Sequence, residues 1–529
     1  MPTALLSVFN KKGIVEFARG LLNLGQGWDI LASDGTAKTI REAGVPVTDV
    51  ATMVGEPILG HRVVTLSREI HAGLISGPEH ETELAALGIR RIDLLCVDLY
   101  PLREAIADPD ATETSVLEKT DIGGPAMLRS AAKGRRIIIC ETDGRENALE
   151  WLRTGRKNEP AMLRHMAAIA EAYVASYCLD SARFLSNGAY DGVIGRRELA
   201  CAYGENRWQK QAGLYTTDTD GDPLALYRFQ RVAGSAPSYN NLCDGDRMLQ
   251  TLTHIANVVR HYQEYVPFVA VAAKHGNPCG AAYDRTFGRR ALQKAIRGDT
   301  RAIFGGLMMT NFEIDGLAAE DIVTLATDGS RRLLDGVFAP SFTPEAIDLL
   351  ARKHGKCRLF ANPALGIHSA LLDGARRFRY VRGGFLTQPN YTYLFDFRSD
   401  GVGSITPDQC SDLLLAWGIG ATSNSNTITL VKDGMLIGNG VGQQDRVGAA
   451  KLALTRARDA GHNPAGAVAY SDSFFPFTDG PQVLLDAGIS AVLTSKGSVR
   501  DHEVIALFRD RGVPLVMVPD EDGRGFFGH

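Results

Sequence analysis

A chain of 529 residues is too long for a single hydrophobic core and points to roughly two to four domains. Hydrophobic residues make up 45% and charged residues 22%, the balance of an ordinary globular protein, which excludes a largely disordered chain. The 57 lysines and arginines are offset by 61 aspartates and glutamates, so no general attraction to nucleic acid is expected and an anionic ligand has to be held by local groups.

The first third alternates short apolar runs with amphipathic ones: Ala4 to Phe9, then Ile14, Phe17, Ala18, Leu21 and Leu22, then Trp28 to Leu31, later Ile92 to Val97 and Arg136 to Cys140. This rhythm predicts a parallel sheet with crossover helices. Met1 leads straight into a strand-like run without a charged leader, and the longest apolar runs, such as Pro514 to Val518, fall far short of a bilayer span. A cytoplasmic protein with no membrane segment is expected.

In a doubly wound sheet the ends of successive strands converge, so three turns of this region are candidates for one pocket. Ser7-Val8-Phe9-Asn10-Lys11-Lys12-Gly13 brings a hydroxyl and a lysine to a strand-to-helix turn. Ser33-Asp34-Gly35-Thr36-Ala37-Lys38 opens a second helix and offers backbone amides to an anion. Each is equally an ordinary helix cap. In Asp121-Ile122-Gly123-Gly124-Pro125-Ala126-Met127, Pro125 suits the first helical position, which predicts open amides at Gly123 and Gly124, with Lys133 further along the helix. A capped helix with a solvated lysine is the alternative.

A helical pattern from about Ala161 to Leu185 ends near Asn187-Gly188, which predicts a boundary at 195 and two domains, 1–195 and 196–529. The second region is mixed α/β with many glycine turns and is expected to hold two packed subdomains. Its sharpest feature is Lys274-His275, placed directly after the buried-strand pattern Phe268 to Ala273 and followed by Asn277-Pro278-Cys279-Gly280, read as the tight turn. The neighbouring cation disfavours imidazolium and leaves a neutral imidazole able to take a proton near pH 7. Further polar candidates are Tyr203, Ser238 to Asn241, Asp335, Asn426, Arg446 and the run Ser471-Asp472-Ser473-Phe474-Phe475-Pro476-Phe477-Thr478-Asp479. The phenylalanines of that run form either a wall for a flat ring or part of the core. The eight cysteines are scattered with no CxxC pair, so neither a disulfide framework nor a zinc site is indicated. Zinc deamination is disfavoured because Pro278-Cys279 lacks the second cysteine that chemistry needs.

Taken together, Asp121 to Met127, Lys274-His275 with Asn277 to Gly280, and Ser471-Asp472 with Phe474 to Phe477 resemble the bifunctional purine biosynthesis family that is both aminoimidazolecarboxamide ribonucleotide (AICAR) transformylase and inosine monophosphate (IMP) cyclohydrolase. The resemblance runs from Ser7 to Asp501. It implies an α/β chain with an N-terminal methylglyoxal-synthase-like doubly wound domain, and a C-terminal cytidine-deaminase-like transformylase region of two subdomains. It also implies 10-formyltetrahydrofolate as co-substrate, no metal, and a homodimer. For formyl transfer the implied roles are His275 as proton acceptor, Lys274 as its aid and Asn426 as oxyanion donor. Asp335, Phe474 and Asp479 would lie around the ring and folate, and Tyr203, Arg446 and Arg524 near the nucleotide phosphate. For ring closure they are Asp121 and Lys133 for protons and Tyr100 beside the reacting groups. Ser7, Lys11, Ser33, Gly35, Thr36, Arg62, Thr65, Gly123 and Gly124 would line the nucleotide.

The chain departs from that pattern. Where the family has Arg-Val-Lys-Thr-Leu-His-Pro it reads Arg62-Val63-Val64-Thr65-Leu66-Ser67-Arg68, and Asp98 stands for an asparagine before Leu99-Tyr100-Pro101. Ala202 replaces an arginine before Tyr203, with Arg207 as a candidate substitute, and Asp445 replaces a serine before Arg446. These changes leave two alternatives to a working bifunctional enzyme: a transformylase with an inactive first domain, or a nucleotide-binding relative without turnover.

Overall fold

Residues 1–60, 62–217, 221–394 and 402–528 are described by the computed structural model. They form two compact units, Met1–Gly195 and Arg196–His529.

In the first unit five strands, β1 (Thr3–Ser7), β2 (Asp29–Ala32), β3 (Thr48–Asp49), β4 (Leu94–Val97) and β5 (Ile137–Ile139), lie in the order β3-β2-β1-β4-β5. All pairings are parallel. Alternation along a strand sends neighbours to opposite faces. Thus Ala4 and Leu6 pack with Ile14, Phe17 and Trp151, whereas Leu5 packs with Leu74, Met127 and Leu128. The chain winds outward from β1 to β3 and then returns to lay β4 on the other side of β1. That reversal opens a crevice at the carboxyl ends of β1 and β4. The helix expected from Ala161 runs Glu159–Leu185 and buries only Ala170 and Val174.

The second unit is built on one eleven-stranded sheet, and its strand order reveals a duplication. In the first half the hairpin Phe268–Lys274 and Asn277–Asp284 is followed by Leu307–Thr310, antiparallel to the first hairpin strand, then by Gly336–Ala339 and Arg358–Ala361, each parallel to the one before. The second half repeats this with the hairpin Ile428–Lys432 and Met435–Gly440, then Val468–Ser471, Ala491–Lys496 and Leu515–Pro519. The halves join through an antiparallel contact, Ala282 opposite Met435, so they face in opposite directions along the sheet. Strand Phe268–Lys274 is buried on both faces: Val269, Val271 and Ala273 meet the helices Tyr239–Gln263 and Pro407–Gly420, and Ala270 and Ala272 meet Gly288–Gly298. Such two-sided burial explains its unbroken apolar sequence.

The duplication extends to a clamp. Asp412, on the helix leading into the second half, accepts the N–H groups of Asp433 (3.0 Å) and Gly434 (2.7 Å) at the hairpin turn. Burial nevertheless pushes its carboxyl up to about 6. A carboxyl whose folded pKa lies above its unfolded value holds a proton more tightly when folded, so its stabilising contribution is greatest at low pH and is lost as pH rises through about 6. Asp412→Asn, which keeps an oxygen acceptor, is therefore expected to raise the melting temperature of the second unit at pH 8. The gain should begin to shrink as pH falls below about 6 and approach zero only below the ordinary aspartate value of 3.8, and a gain independent of pH would refute this account.

Candidate active sites

At the carboxyl ends of β1 and β2, Lys11 folds inward. Its ammonium donates to the Val8 carbonyl and lies 3.2 Å from Thr36 Oγ1. Thr36 is buried, bonds to both the amide and the carbonyl of Val8, and stands 3.5 Å from Ser33 Oγ. A side chain at Gly35 would come within 4.0 Å of Lys11 Nζ. Lys11, Ser33, Gly35 and Thr36 thus form one neighbourhood, with Ser7 at the end of the strand that leads into it. Burial lowers the Lys11 pKa, with Asp98 opposing.

β1 stops at Ser7, short of the expected Phe9, because the next amides turn to side chains, that of Val8 to the Thr36 hydroxyl and those of Phe9 and Asn10 to a carboxylate. Asp98 Oδ1 accepts from the N–H groups of Phe9 and Asn10, the latter at 3.1 Å. Its Oδ2 takes the Arg145 guanidinium at 3.0 Å, with the two side chains only 13% and 5% exposed. Arg145 also donates to the carbonyls of Lys12 and Asn10. Burial raises the Asp98 pKa in spite of these partners. No sequence signal pointed to Arg145, which lies 47 residues away.

The helix expected to begin at Pro125 begins at Gly123. Asp121 Oδ1 accepts the Gly124 N–H at 2.8 Å, so that amide is capped, which corrects the expectation of open amides there. Burial raises the Asp121 pKa. Thr65 is buried against Gly123, where an added Cβ would meet its hydroxyl at 2.7 Å. Tyr100, 44% exposed, stands edge-on to Phe9 with ring centroids 5.4 Å apart. Two further expected residues are exposed. Lys133 is exposed at the last position of the helix Gly123–Lys133, about 15 Å from its start at 1.5 Å per residue. Arg62 is exposed and paired with Glu118. Val64 packs partly buried against the core.

In the second unit the reversed halves bring strand ends from both to one edge of the sheet. Lys274, His275 and Asp335 arrive from the first half; Asn426, Arg446, Phe474, Asp479 and Arg524 arrive from the second. The turn is Lys274 to Asn277 rather than 277 to 280. His275 and Gly276 both have positive φ, 53° and 71°, the geometry that matches hairpin twist. Asn277–Asp284 is already strand, with a register shift between Pro278 and Gly280.

Lys274 Nζ donates to the Phe304 carbonyl at 2.8 Å. The imidazole also has a carboxylate neighbour that sequence reasoning missed. Asp244, on the helix Tyr239–Gln263, accepts the Gly276 N–H; burial pushes its carboxyl up to about 6, and His275 is the strongest opposing influence. The field at His275 is therefore not that of Lys274 alone. Asp335 lies 3.4 Å from Arg352 Nη1 with its side chain 45% exposed.

Asn426 Nδ2 donates to the Gln443 carbonyl at 2.9 Å, which leaves the second hydrogen of that amide for another acceptor. Arg446 donates through Nε to the Phe474 carbonyl at 3.0 Å and through Nη1 to Ser471 and the fully buried Asp472. Two of its three nitrogens are thus committed within the chain, which narrows its expected role toward phosphate to Nη2. Asp445 caps the helix Arg446–Asp459 through the Gly448 N–H at 2.6 Å. Of the phenylalanine run, Phe475 is core at 1% exposure, Phe474 is half-buried, and Phe477 is 50% exposed beneath Arg500. Arg524 sits 5.6 Å from the Phe474 ring and pairs with Asp520 at 2.5 Å. Asp479 is exposed and caps its own neighbour, Gly480. Asn426, Gln444, Arg446, Phe474, Phe477 and Asp479 line a cleft of about 490 Å3, a size suited to a flat ring. Tyr203 is half-buried, with Arg207 6.0 Å from its ring centroid. Among the described residues no group of three or more His, Cys, Asp or Glu is gathered for a metal, and no helix is long and apolar enough to cross a membrane.

The AICARFT/IMPCHase bienzyme family profile matches residues 131–456, and an MGS-like domain profile matches residues 13–126. The bifunctional purine biosynthesis protein PurH of Synechococcus sp. (strain CC9311) is 35% identical, covering 100% of both chains. PurH of Anoxybacillus flavithermus (strain DSM 21510 / WK1) is 34% identical over 97% of this chain and 98% of its own. A crystal structure of ForH is 33% identical over 36% of this chain and 99% of its own, with a TM-score of 0.32.

Proposed function

The chain belongs to the AICARFT/IMPCHase bienzyme family of purine biosynthesis, and on that premise we propose how its two units divide the work. The second unit transfers a formyl group from 10-formyltetrahydrofolate to the AICAR amine, and the first closes the ring of the product to give IMP. What supports this reading is that Lys274, His275, Asp335 and Asn426 lie along the same edge of the sheet as the Phe474 cleft.

The AICAR amine is a poor nucleophile because its lone pair is delocalised into the ring. As the C–N bond forms, His275 takes the amine proton, Lys274 steadies the charge, and the second Asn426 hydrogen meets the developing oxyanion; the oxyanion then collapses, the bond from the formyl carbon to the folate nitrogen breaks, and that nitrogen leaves with the proton as tetrahydrofolate. Phe474 and Phe477 supply the wall for the ring. In ring closure the carboxamide nitrogen attacks the formyl carbon and the formyl oxygen leaves as water. Asp121, whose raised pKa suits proton exchange, acts beside Tyr100. Lys133 and Arg62 are both exposed, and no step of the chemistry is assigned to them. We place the reaction in the cytoplasm and in a homodimer, by analogy with the family.

The test is to incubate the purified protein with AICAR and 10-formyltetrahydrofolate and resolve the purines over time. IMP without lasting intermediate is expected. Accumulating formyl-AICAR would refute ring closure in the first unit, and no conversion would refute the whole reading.

A further inference from the structure

We infer that Arg247 is a positioning residue for formyl transfer, a single guanidinium that sets the His275 turn, the segment carrying Asn426 and the C-terminal tail in register. The inference rests on the transformylase reading of the second unit. Arg247 stands three residues after Asp244 on the helix Tyr239–Gln263, so the two side chains leave neighbouring turns on the same side. Its stem packs against the turn, since a Cβ added at Gly276 would meet Arg247 Cγ at 3.2 Å. From there Nη2 donates to Asn424 Oδ1 at 2.6 Å and Nη1 to the Phe527 carbonyl at 3.0 Å. The guanidinium also lies 4.7 Å from the Phe527 ring centroid, a ring that carries Arg377 at 3.6 Å.

Asn424 in turn is held from several directions. Its carbonyl accepts from Gly442 at 3.0 Å and from Thr427 Oγ1 at 2.5 Å, and the next residue, Ser425, donates to the Gly528 carbonyl at 3.2 Å. Asn426 follows immediately. Two acceptors in different segments, each met by its own nitrogen of one rigid plane, specify arginine; an ammonium supplies one point charge and cannot reproduce that fork. Arg247 acts through His275 and Asn426, the first proposed to take the proton and the second to receive the oxyanion. A misplacement of about 1 Å between such groups costs roughly 10²-fold in rate.

Arg247→Lys, Arg247→Met and Asn424→Ala are each expected to lower kcat for formyl transfer about 10²-fold, with the AICAR KM changed less than about twofold. The Arg247→Met/Asn424→Ala double variant should be little worse than either single one, because both cut the same link. Ring closure assayed from formyl-AICAR should be unchanged, since it belongs to the first unit. If Arg247→Met fails to fold, Arg247→Lys and Asn424→Ala carry the test. Wild-type protein that forms no formyl-AICAR would overturn the reading of the second unit itself. With wild type active, variants at wild-type kcat, or losses confined to KM, would overturn the role of Arg247.

Discussion

Replacing His275 by asparagine is expected to cut formyl transfer by about 10²- to 10⁴-fold while leaving the conversion of formyl-AICAR to IMP intact. Asparagine is the informative substitute because position 275 has a φ of 53°, a left-handed conformation that asparagine tolerates better than most residues. The turn, its Gly276 bond to Asp244 and the packing beneath it should therefore survive. What disappears is the imidazole nitrogen proposed to take the amine proton. Formation of formyl-AICAR under saturating folate, with IMP formation from added formyl-AICAR as an internal control, measures the effect. Transfer retained within about tenfold of wild type would remove His275 as the proton acceptor.

The second large effect is expected at Arg145→Met. The change leaves the Asp98 carboxylate, 13% exposed, without its paired guanidinium and with only the Lys11 ammonium nearby, and frees the carbonyls of Asn10 and Lys12. Removing one partner of a buried ion pair typically costs about 3 to 5 kcal/mol. For a unit of this size each kcal/mol moves the midpoint by about 2 to 4 °C, so the first unit should melt roughly 6 to 20 °C lower. Adding Asp98→Asn should restore most of the loss, because an amide can still accept the N–H groups of Phe9 and Asn10 and carries no charge to bury. Calorimetry of both variants decides the matter. A single variant within about 1 kcal/mol of wild type would show that the pair is not what holds the Phe9–Lys12 loop.

Much of the local structure was legible in the sequence. The parallel strands of the first unit follow from short apolar runs between amphipathic ones, and both signals are carried by neighbouring residues. The hairpin at 274–277 shows where such reading misleads. Pro278 and Gly280 are turn residues by type, yet the twist of a hairpin favours two adjacent positive-φ positions, and His275-Gly276 supplies them. The duplication of the second unit was hidden because the halves share an arrangement rather than a sequence: Lys274-His275-Gly276 in one corresponds to Lys432-Asp433-Gly434 in the other.

By itself, then, the sequence determined the kind of elements, the family and the residue types its chemistry needs, since periodicity and motifs are written in consecutive positions. Only the tertiary structure decided which charges meet. Asp98 with Arg145, Asp244 with His275, Arg446 with Asp472 and Arg247 with Asn424 and Phe527 are distant or unpatterned in the chain. Their electrostatics depend on burial, which exists only once the sheets and helices have packed.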